Sequence, residues 1–229
     1  MRRWLIPITV VVMLLAMAVP ALAHRPWFEE KDITADKPWL VDDPTISTAM
    51  YATLESRDDV DYFAFIGREG QSILLSIVIP QIAGQENFAP TMALLGPGLP
   101  SGDLPERVVK PDKAGAFVIA PPSEAKTFFE PFSQTSYWER QKQRIPLPSD
   151  GRYVVAVWHA KDQVGRYVFV IGDRELLGGD LAFPLKMKSY WTPVKQPPAP
   201  ASMPLPATEP TRPCGGRMDS LTRMDWIEW

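Results

Sequence analysis

Short apolar runs, separated by turns rich in glycine, proline and acidic residues, set the pattern of this chain from residue 46 onward. Residues 72–79 read SILLSIVI, a run of strand length that is rich in β-branched residues and is followed by Pro80. Ahead of it, the alternation in residues 61–65 sends Phe63 and Phe65 to one face of a predicted strand. No long amphipathic helix is predicted, so the pattern indicates an all-β protein.

Two Gly-Arg-Tyr-Val sequences predict a β-hairpin late in the chain, with strands at 151–160 and 165–172 joined by residues 161–164. In the first of these strands, Tyr153, Val155, Val157 and His159 share one face. Residues 126–144 have no clear period of 2 or 3.6 and are predicted to be irregular, with an edge strand. Further strands are predicted at 46–54, 60–66, 91–95 and 116–120.

These strands predict the fold class: all-β, an antiparallel β-sandwich of jelly-roll-like form. The prolines that recur from Pro193 to Pro213 predict an extended tail without a core of its own. The expected organisation is a leader at 1–23, an extended lead-in segment at 24–45, the sandwich at 46–172, an amphipathic segment at 173–192 and a proline-rich, disordered tail at 193–229.

The first residues have the order of a secretory signal peptide. Arg2 and Arg3 precede an apolar run from Trp4 to Val19, and Ala21-Leu22-Ala23 follows, which predicts cleavage after Ala23. The alternative is an uncleaved membrane anchor, although about 16 apolar residues are fewer than the ~20 that span a bilayer. With either outcome the rest of the chain is expected outside the cytoplasm, secreted or associated with the cell envelope.

Charge and cysteine content narrow the function classes. The chain has 24 basic and 27 acidic residues without a basic block, so nucleic acid is not an expected partner. Cys214 is the single cysteine, so the sandwich is expected to hold together by its core. This thiol is interpreted as incidental, with an intermolecular disulfide as the alternative.

Residues 59–65, DVDYFAF, followed by Gly67 and by residues 70–77, GQSILLSI, resemble the bacterial pre-peptidase C-terminal domain family. The paired Gly-Arg-Tyr-Val strands are similar to the closing strands of such domains. The resemblance covers roughly residues 46–171 and implies a small β-sandwich of an exported protein that acts as a non-catalytic binding or maturation module. Two features depart from the family: no protease domain precedes the sandwich, and the insertion between Pro80 and Pro148 is long.

Two metal sites are considered. Cleavage after Ala23 would leave His24 with a free amine beside its imidazole, and His159 would add a third nitrogen for copper, which imidazole suits. The alternative for His159 is a strand-end residue that faces solvent. The resemblance implies calcium held by carboxylates near turns, and Asp58, Asp59 and Asp61 are the candidates, although they lack the spacing of an EF-hand loop. Their alternative is a solvated, turn-capping role.

The candidate binding surface is the aromatic group Phe128, Phe129, Phe132, Tyr137 and Trp138, with core packing as the alternative. The cationic, aromatic segment Leu181–Trp191 is considered for contact with a membrane surface, with packing across the sandwich as the alternative.

Enzymatic motifs are absent: there is no G-x-S-x-G, P-loop or G-x-G-x-x-G, although Glu29, Glu30 and Glu130 stay open as acid or base groups. The sequence therefore predicts a non-catalytic, exported module without a cofactor that recognises envelope protein or polysaccharide. The alternative is a copper-binding protein that uses His24 and His159.

Overall fold

The computed structural model of the chain describes residues 24–176 and 178–196, without the side chains of Lys188 and Ser189. The predicted leader with its cleavage after Ala23, most of the proline-rich tail and Cys214 lie outside the described residues.

Two β-sheets face each other and form a sandwich, which confirms the predicted fold class. The six-stranded sheet has the order β1-β3-β11-β5-β9-β8, and the five-stranded sheet has the order β2-β4-β10-β6-β7. The strands are β1 (Arg25–Phe28), β2 (Trp39–Leu40), β3 (Thr48–Leu54), β4 (Val60–Gly67), β5 (Ser72–Pro80), β6 (Thr91–Gly96), β7 (Gly115–Ile119), β8 (Lys126–Glu130), β9 (Thr135–Pro146), β10 (Gly151–Trp158) and β11 (Gly165–Ile171). Helix α1 (Phe183–Tyr190) follows β11.

The lead-in segment belongs to both sheets. Its first strand, β1, pairs in parallel with β3 at the edge of the six-stranded sheet. Its second strand, β2, pairs in parallel with β4 at the edge of the five-stranded sheet. All other pairs are antiparallel. The sandwich therefore begins at the lead-in, and β1 and β2 flank one open side of it.

Aromatic and aliphatic side chains fill the space between the sheets. Phe63 of β4 stacks on Phe169 of β11 across this space, with ring centroids 4.3 Å apart. Phe65 lies in the same core, which confirms that Phe63 and Phe65 share the inner face. Tyr153, Val155 and Val157 of β10 face the same core, as the alternation predicted.

Both sheets are also apolar on their outer faces. On the five-stranded sheet, Tyr62, Ala156 and Trp158 belong to an outer cluster that includes Val108 and packs against Leu104 of the loop before β7. On the six-stranded sheet, Phe183 and Met187 of α1 pack against an outer face that β3, β5, β9 and β11 form. Such faces need cover, because an outer sheet face exposed to water is normally polar.

The predicted hairpin between residues 151–160 and 165–172 is wrong. β10 lies in the five-stranded sheet and β11 in the six-stranded sheet, so the connection from His159 to Val164 crosses from one sheet to the other. Both strands are apolar on both faces, so alternation alone does not distinguish strands that pair from strands that face each other. A connection of this length spans the ~10 Å between packed sheets.

Residues 126–144 are regular, which corrects the prediction of an irregular segment. They form the hairpin of β8 and most of β9, with β8 as the predicted edge strand. Opposite β5, the pairing steps from Gln141 to Glu139, so Arg140 is an extra residue at a bulge. A bulge reverses the alternation of side chains, and this removes the period of 2 from the sequence pattern.

His159 is buried, which corrects the alternative of a strand-end residue that faces solvent. Its Nδ1 accepts hydrogen bonds from the backbone N–H groups of Lys161 and Gln163, each at 3.1 Å. Its ring stacks on Phe88 with centroids 5.2 Å apart. Burial lowers the pKa of His159 to about 4, against the opposing effect of Asp162.

We expect acid to destabilise the protein through His159. Its pKa in the folded state, about 4, lies below the ordinary value of 6.5, so the unfolded chain takes up the proton first. The stabilising effect is complete above pH 6.5 and is lost as the pH falls towards about 4, and the loss amounts to about 3 kcal/mol. Urea unfolding across this pH range, with the non-titrating His159→Asn variant as control, measures it; parallel profiles for the two proteins would contradict the assignment.

Candidate functional site

A groove of about 500 Å³ lies on the outer face of the six-stranded sheet. Ala49 and Tyr51 of β3 and Val168 and Val170 of β11 line its floor, and we call this feature the sheet groove. Helix α1 and Trp191 pack against the adjoining part of the same face. The sheet groove is therefore the part of an apolar sheet face beside the helical cover, and its volume is that of a small ligand site.

Charged side chains form the rim of the sheet groove. Glu130 and Glu175 lie on the rim with Lys126 and Lys142, and His24 lies at one end. Burial lowers the pKa of His24, Lys142 lowers it further, and Glu130 and Glu175 oppose this shift. The imidazole is consequently neutral near neutral pH, and the rim offers charges of both signs around an apolar floor.

His24 contacts Ser47 at the start of β3. The Nδ1 atom of His24 lies within hydrogen-bond distance of the Ser47 hydroxyl. A serine nucleophile must reach its substrate, but Ser47 is only 1% exposed. The contact therefore attaches the lead-in segment to β3 and does not present a nucleophile to the groove.

The structure does not bring His24 and His159 together. Arg25, next to His24, pairs with Thr48 at the first residue of β3. Gly165, which follows the loop of His159, pairs with Leu54 at the last residue of β3. The seven residues of β3 separate these two ends by about 20 Å. The pair therefore does not form a shared copper site.

The predicted aromatic surface is divided among several environments. Phe128 stacks on buried Tyr137, with centroids 5.6 Å apart, and both line the sheet groove. Phe132 stacks on Phe183 of α1. Trp138 packs against the inner core, and Phe129 is exposed. Two of the five side chains thus contribute to the groove, and the group is not a single platform.

The three predicted calcium ligands also do not converge. The Asp58 carboxylate accepts a hydrogen bond from the Ser56 hydroxyl at 3.0 Å, and the Asp59 carboxylate accepts one from the backbone N–H of Glu55 at 2.6 Å. These are the contacts of turn-capping residues. Asp61 lies inside the sandwich, where it groups with carboxylates of the lead-in segment rather than with Asp58 and Asp59.

Asp61 groups with Glu29 and Asp32 of the lead-in segment. One carboxylate oxygen of each lies within 4.8 Å of the others, and we call these three residues the acidic cluster. Asp61 is fully buried; its Oδ2 accepts a hydrogen bond from the Tyr167 hydroxyl at 2.5 Å, whereas its Oδ1 has no hydrogen-bond partner. Glu29 Oε2 accepts the backbone N–H of Thr53 at 2.8 Å.

Burial and mutual repulsion raise the pKa values of two members of the acidic cluster, Glu29 and Asp61. Burial raises the pKa of Glu29 to about 8, and nearby Asp59 adds to the shift. Burial, with repulsion from Glu29 and Asp59, raises the pKa of Asp61 well above its ordinary value. Buried carboxylates of like charge need a counter-charge, so at neutral pH the cluster needs either protons or a cation.

The segment Leu181–Trp191 forms α1 with its flanking residues and packs on the sandwich. Phe183 and Met187 are buried, whereas Leu181 and Leu185 are 96% and 82% exposed. Packing across the sandwich is therefore observed, and contact with a membrane surface stays a prediction. None of the helices among the described residues has the length and apolar character needed to cross a bilayer.

Sequence reasoning missed the acidic cluster because its members are far apart in the chain. Asp61 lies about 30 residues after Glu29 and Asp32. The pairing of β1 with β3 and the hydrogen bond from the Tyr62 N–H to the Ile33 carbonyl bring them to the same end of the sandwich. The sheet groove was not predicted because the sequence pattern does not distinguish apolar residues on an outer sheet face from apolar residues of the inner core. A usable signal was the apolar character of both faces of β3 and β11.

No family model matches the sequence, and no curated protein matches it. Membership of the pre-peptidase C-terminal family therefore stays a prediction, while the β-sandwich that the resemblance implies is observed. Among solved structures, the chain is similar to PliG from Aeromonas hydrophila, a periplasmic inhibitor of g-type lysozyme, at 12% identity and a TM-score of 0.32, over 65% of this chain and 96% of that one.

Two further solved structures are similar to this chain. The pre-peptidase C-terminal domain of a Bacillus anthracis collagenase is 11% identical, with a TM-score of 0.34 over 62% of this chain and 99% of that one. CorA, a surface-associated copper-binding protein of Methylomicrobium album BG8, is 7% identical, with a TM-score of 0.29 over 66% of this chain and 99% of that one. These TM-scores are too low to support an inference of function, so function is inferred from the side chains of this chain.

We expect a fluorophosphonate probe to leave the purified protein unlabelled, because the Ser47 hydroxyl is buried against the His24 ring. Intact-mass spectrometry measures labelling, with Ser47→Ala as control. A mass increase that disappears in the variant would contradict the non-catalytic interpretation.

Proposed function

We propose that this protein is an exported, non-catalytic binding module that holds an extended segment of an envelope protein in the sheet groove. The observation that carries the proposal is the apolar floor of Ala49, Val168 and Val170 on the outer face of the six-stranded sheet, beside the area that α1 covers. An apolar concave surface with a polar rim is the usual form of a binding site.

The edge strand β8 favours a protein segment as the occupant. Lys126, Thr127, Phe128 and Glu130 of β8 line the groove, and the strand pairs on one side with β9. An edge strand offers backbone N–H and C=O groups to an added strand, and alternate side chains of that strand then enter neighbouring pockets. A peptide added to β8 would direct apolar side chains to the floor and charged ones to the rim.

We expect a bulkier side chain in the floor to block this binding. Random 12-residue peptides displayed on phage are selected against the protein, and the affinities of synthetic copies are measured by fluorescence anisotropy. Val170→Phe fills the groove and is expected to weaken binding at least tenfold, a change of about 1.4 kcal/mol.

The matched control is Ile66→Phe, because Ile66 is exposed on the other sheet. This variant is expected to bind the selected peptides with the same affinity as the unmodified protein. Thermal unfolding of both variants verifies their fold. Failure to select any peptide, or equal affinities for the unmodified protein and Val170→Phe, would contradict the proposed site.

A second candidate function is calcium binding by the acidic cluster, favoured by the unpartnered Oδ1 of buried Asp61. The donor set fits a hard cation, since Glu29, Asp32 and Asp61 supply carboxylate oxygens and Ca²⁺ prefers oxygen ligands. The Tyr167 hydroxyl and the Thr53 N–H hold the remaining oxygens of Asp61 and Glu29 in place. Bound calcium would join the lead-in segment to β4 and replace the protons on these groups.

We expect calcium to stabilise the protein more at high pH than at low pH. The pKa of Glu29 in the folded state is about 8, above its ordinary 4.5, so between these values the folded state holds the extra proton and loses stability as pH rises. Calcium competes with that proton. At about 10 mM Ca²⁺ and a Kd of about 1 mM, it adds about 1 kcal/mol near pH 8, or roughly 2–4 °C in Tm.

Differential scanning calorimetry with and without CaCl₂ tests this expectation at about pH 8 and about pH 5.5. Asp61→Asn is expected to abolish the calcium response, and Asp58→Asn, which alters a turn residue outside the cluster, is expected to preserve it. A response that is independent of pH, or one that survives in Asp61→Asn, would contradict the site.

A further inference from the structure

A second concave site lies on the open side of the sandwich, between the edge strands β1 and β2. Trp27 of β1 pairs in register with Met50, and Trp39 of β2 pairs with Phe63, so both indoles point into the gap between the sheets. Gly179 and Leu181, which precede α1, also line this space, and the backbone N–H of Asp180 between them donates to the Pro26 carbonyl of β1 at 2.7 Å. The space has a volume of about 720 Å³, and we call it the tryptophan cleft.

The two indoles form a rigid and accessible surface. Their ring centroids are 6.3 Å apart with planes inclined at 53°, so they make one continuous aromatic wall. Trp39 contacts Phe63 of the inner core edge-on, with centroids 6.4 Å apart, which fixes its position. Trp27 is 40% exposed, although a side chain that only closed the core would be buried.

Charged groups stand beside this aromatic wall. Lys186 contacts the Glu30 carboxylate at 3.2 Å and the Asp180 carboxylate at 2.7 Å. Asp180 also accepts the backbone N–H of Ala182 at 2.8 Å, which holds it in place. The cleft thus combines an apolar wall with fixed hydrogen-bond acceptors. Apart from Glu29, whose pKa burial raises to about 8, its two acidic groups are matched by two lysines.

We propose that the tryptophan cleft binds a neutral polysaccharide. A sugar ring has an apolar C–H face and a periphery of hydroxyl groups, so it matches an aromatic wall flanked by carboxylates, which accept hydroxyl hydrogen bonds. Because the acidic groups of the cleft offset its lysines, the cleft offers no net positive charge to an anionic polysaccharide or to an anionic lipid surface, despite exposed Leu181. The cleft is separate from the sheet groove, so this function goes beyond the proposed one.

The test measures binding of cellohexaose and chitohexaose to the purified protein by isothermal titration calorimetry. At least one of these neutral oligosaccharides is expected to bind. Trp27→Ala is expected to weaken that binding at least tenfold, and Trp27→Phe is expected to retain part of the affinity. Phe129→Ala, which removes an exposed aromatic ring from β8, is the matched control and is expected to bind normally.

Val170→Phe, which blocks the sheet groove, is expected to leave oligosaccharide binding unchanged. The experiment therefore tests the tryptophan cleft independently of the sheet groove. Circular dichroism verifies that each variant is folded. The proposal is overturned if neither oligosaccharide binds, or if Phe129→Ala loses as much affinity as Trp27→Ala. It is also overturned if the protein binds only polygalacturonate or phosphatidylglycerol vesicles under the same conditions.

Discussion

Both sheets of this sandwich carry apolar side chains on their outer faces, and the chain must cover those faces as well as fill the space between the sheets. The loop around Leu104 and Val108 covers one outer face, and α1 packs on the other through Phe183 and Met187. The sheet groove lies beside α1, where the apolar floor of β3 and β11 continues under a charged rim. Cover of the outer faces therefore explains the position of the helix and also the position of the proposed binding site.

Burial of carboxylates is the second constraint, and it acts at the end of the sandwich where the lead-in segment meets β4. Asp61 occupies an inner-face position at the start of β4, in line with Phe63 and Phe65, so strand alternation itself places a carboxylate inside the sandwich. Glu29 and Asp32 lie beside Asp61, and their negative charge raises the free energy needed to ionise its carboxyl group. A proton or a cation offsets this cost, which makes the cluster sensitive to pH.

Much of the fold was predictable from local pattern, because strand length, alternation and turn residues are local properties. The inner face of Phe63 and Phe65 and the strands around residues 72–79 and 91–95 are examples. The division of β10 and β11 between two sheets was not predictable, since both strands are apolar on both faces. The bulge at Arg140 interrupts the alternation of side chains in β9, so the sequence pattern did not predict this strand. The candidate sites depend on contacts between the lead-in segment and later strands, and no local sequence pattern predicts such contacts.

The apolar floor of the sheet groove differs from the inner core in that we propose it as an accessible binding surface. Methyl NMR of the protein under xenon pressure tests this proposal most directly, because xenon enters accessible apolar cavities. We expect xenon to shift the methyl signals of Ala49, Val168 and Val170, which line the groove, and to leave those of Val155 and Val157 in the inner core unchanged. Shifts confined to the inner core, or no shifts at the groove, would contradict the proposal.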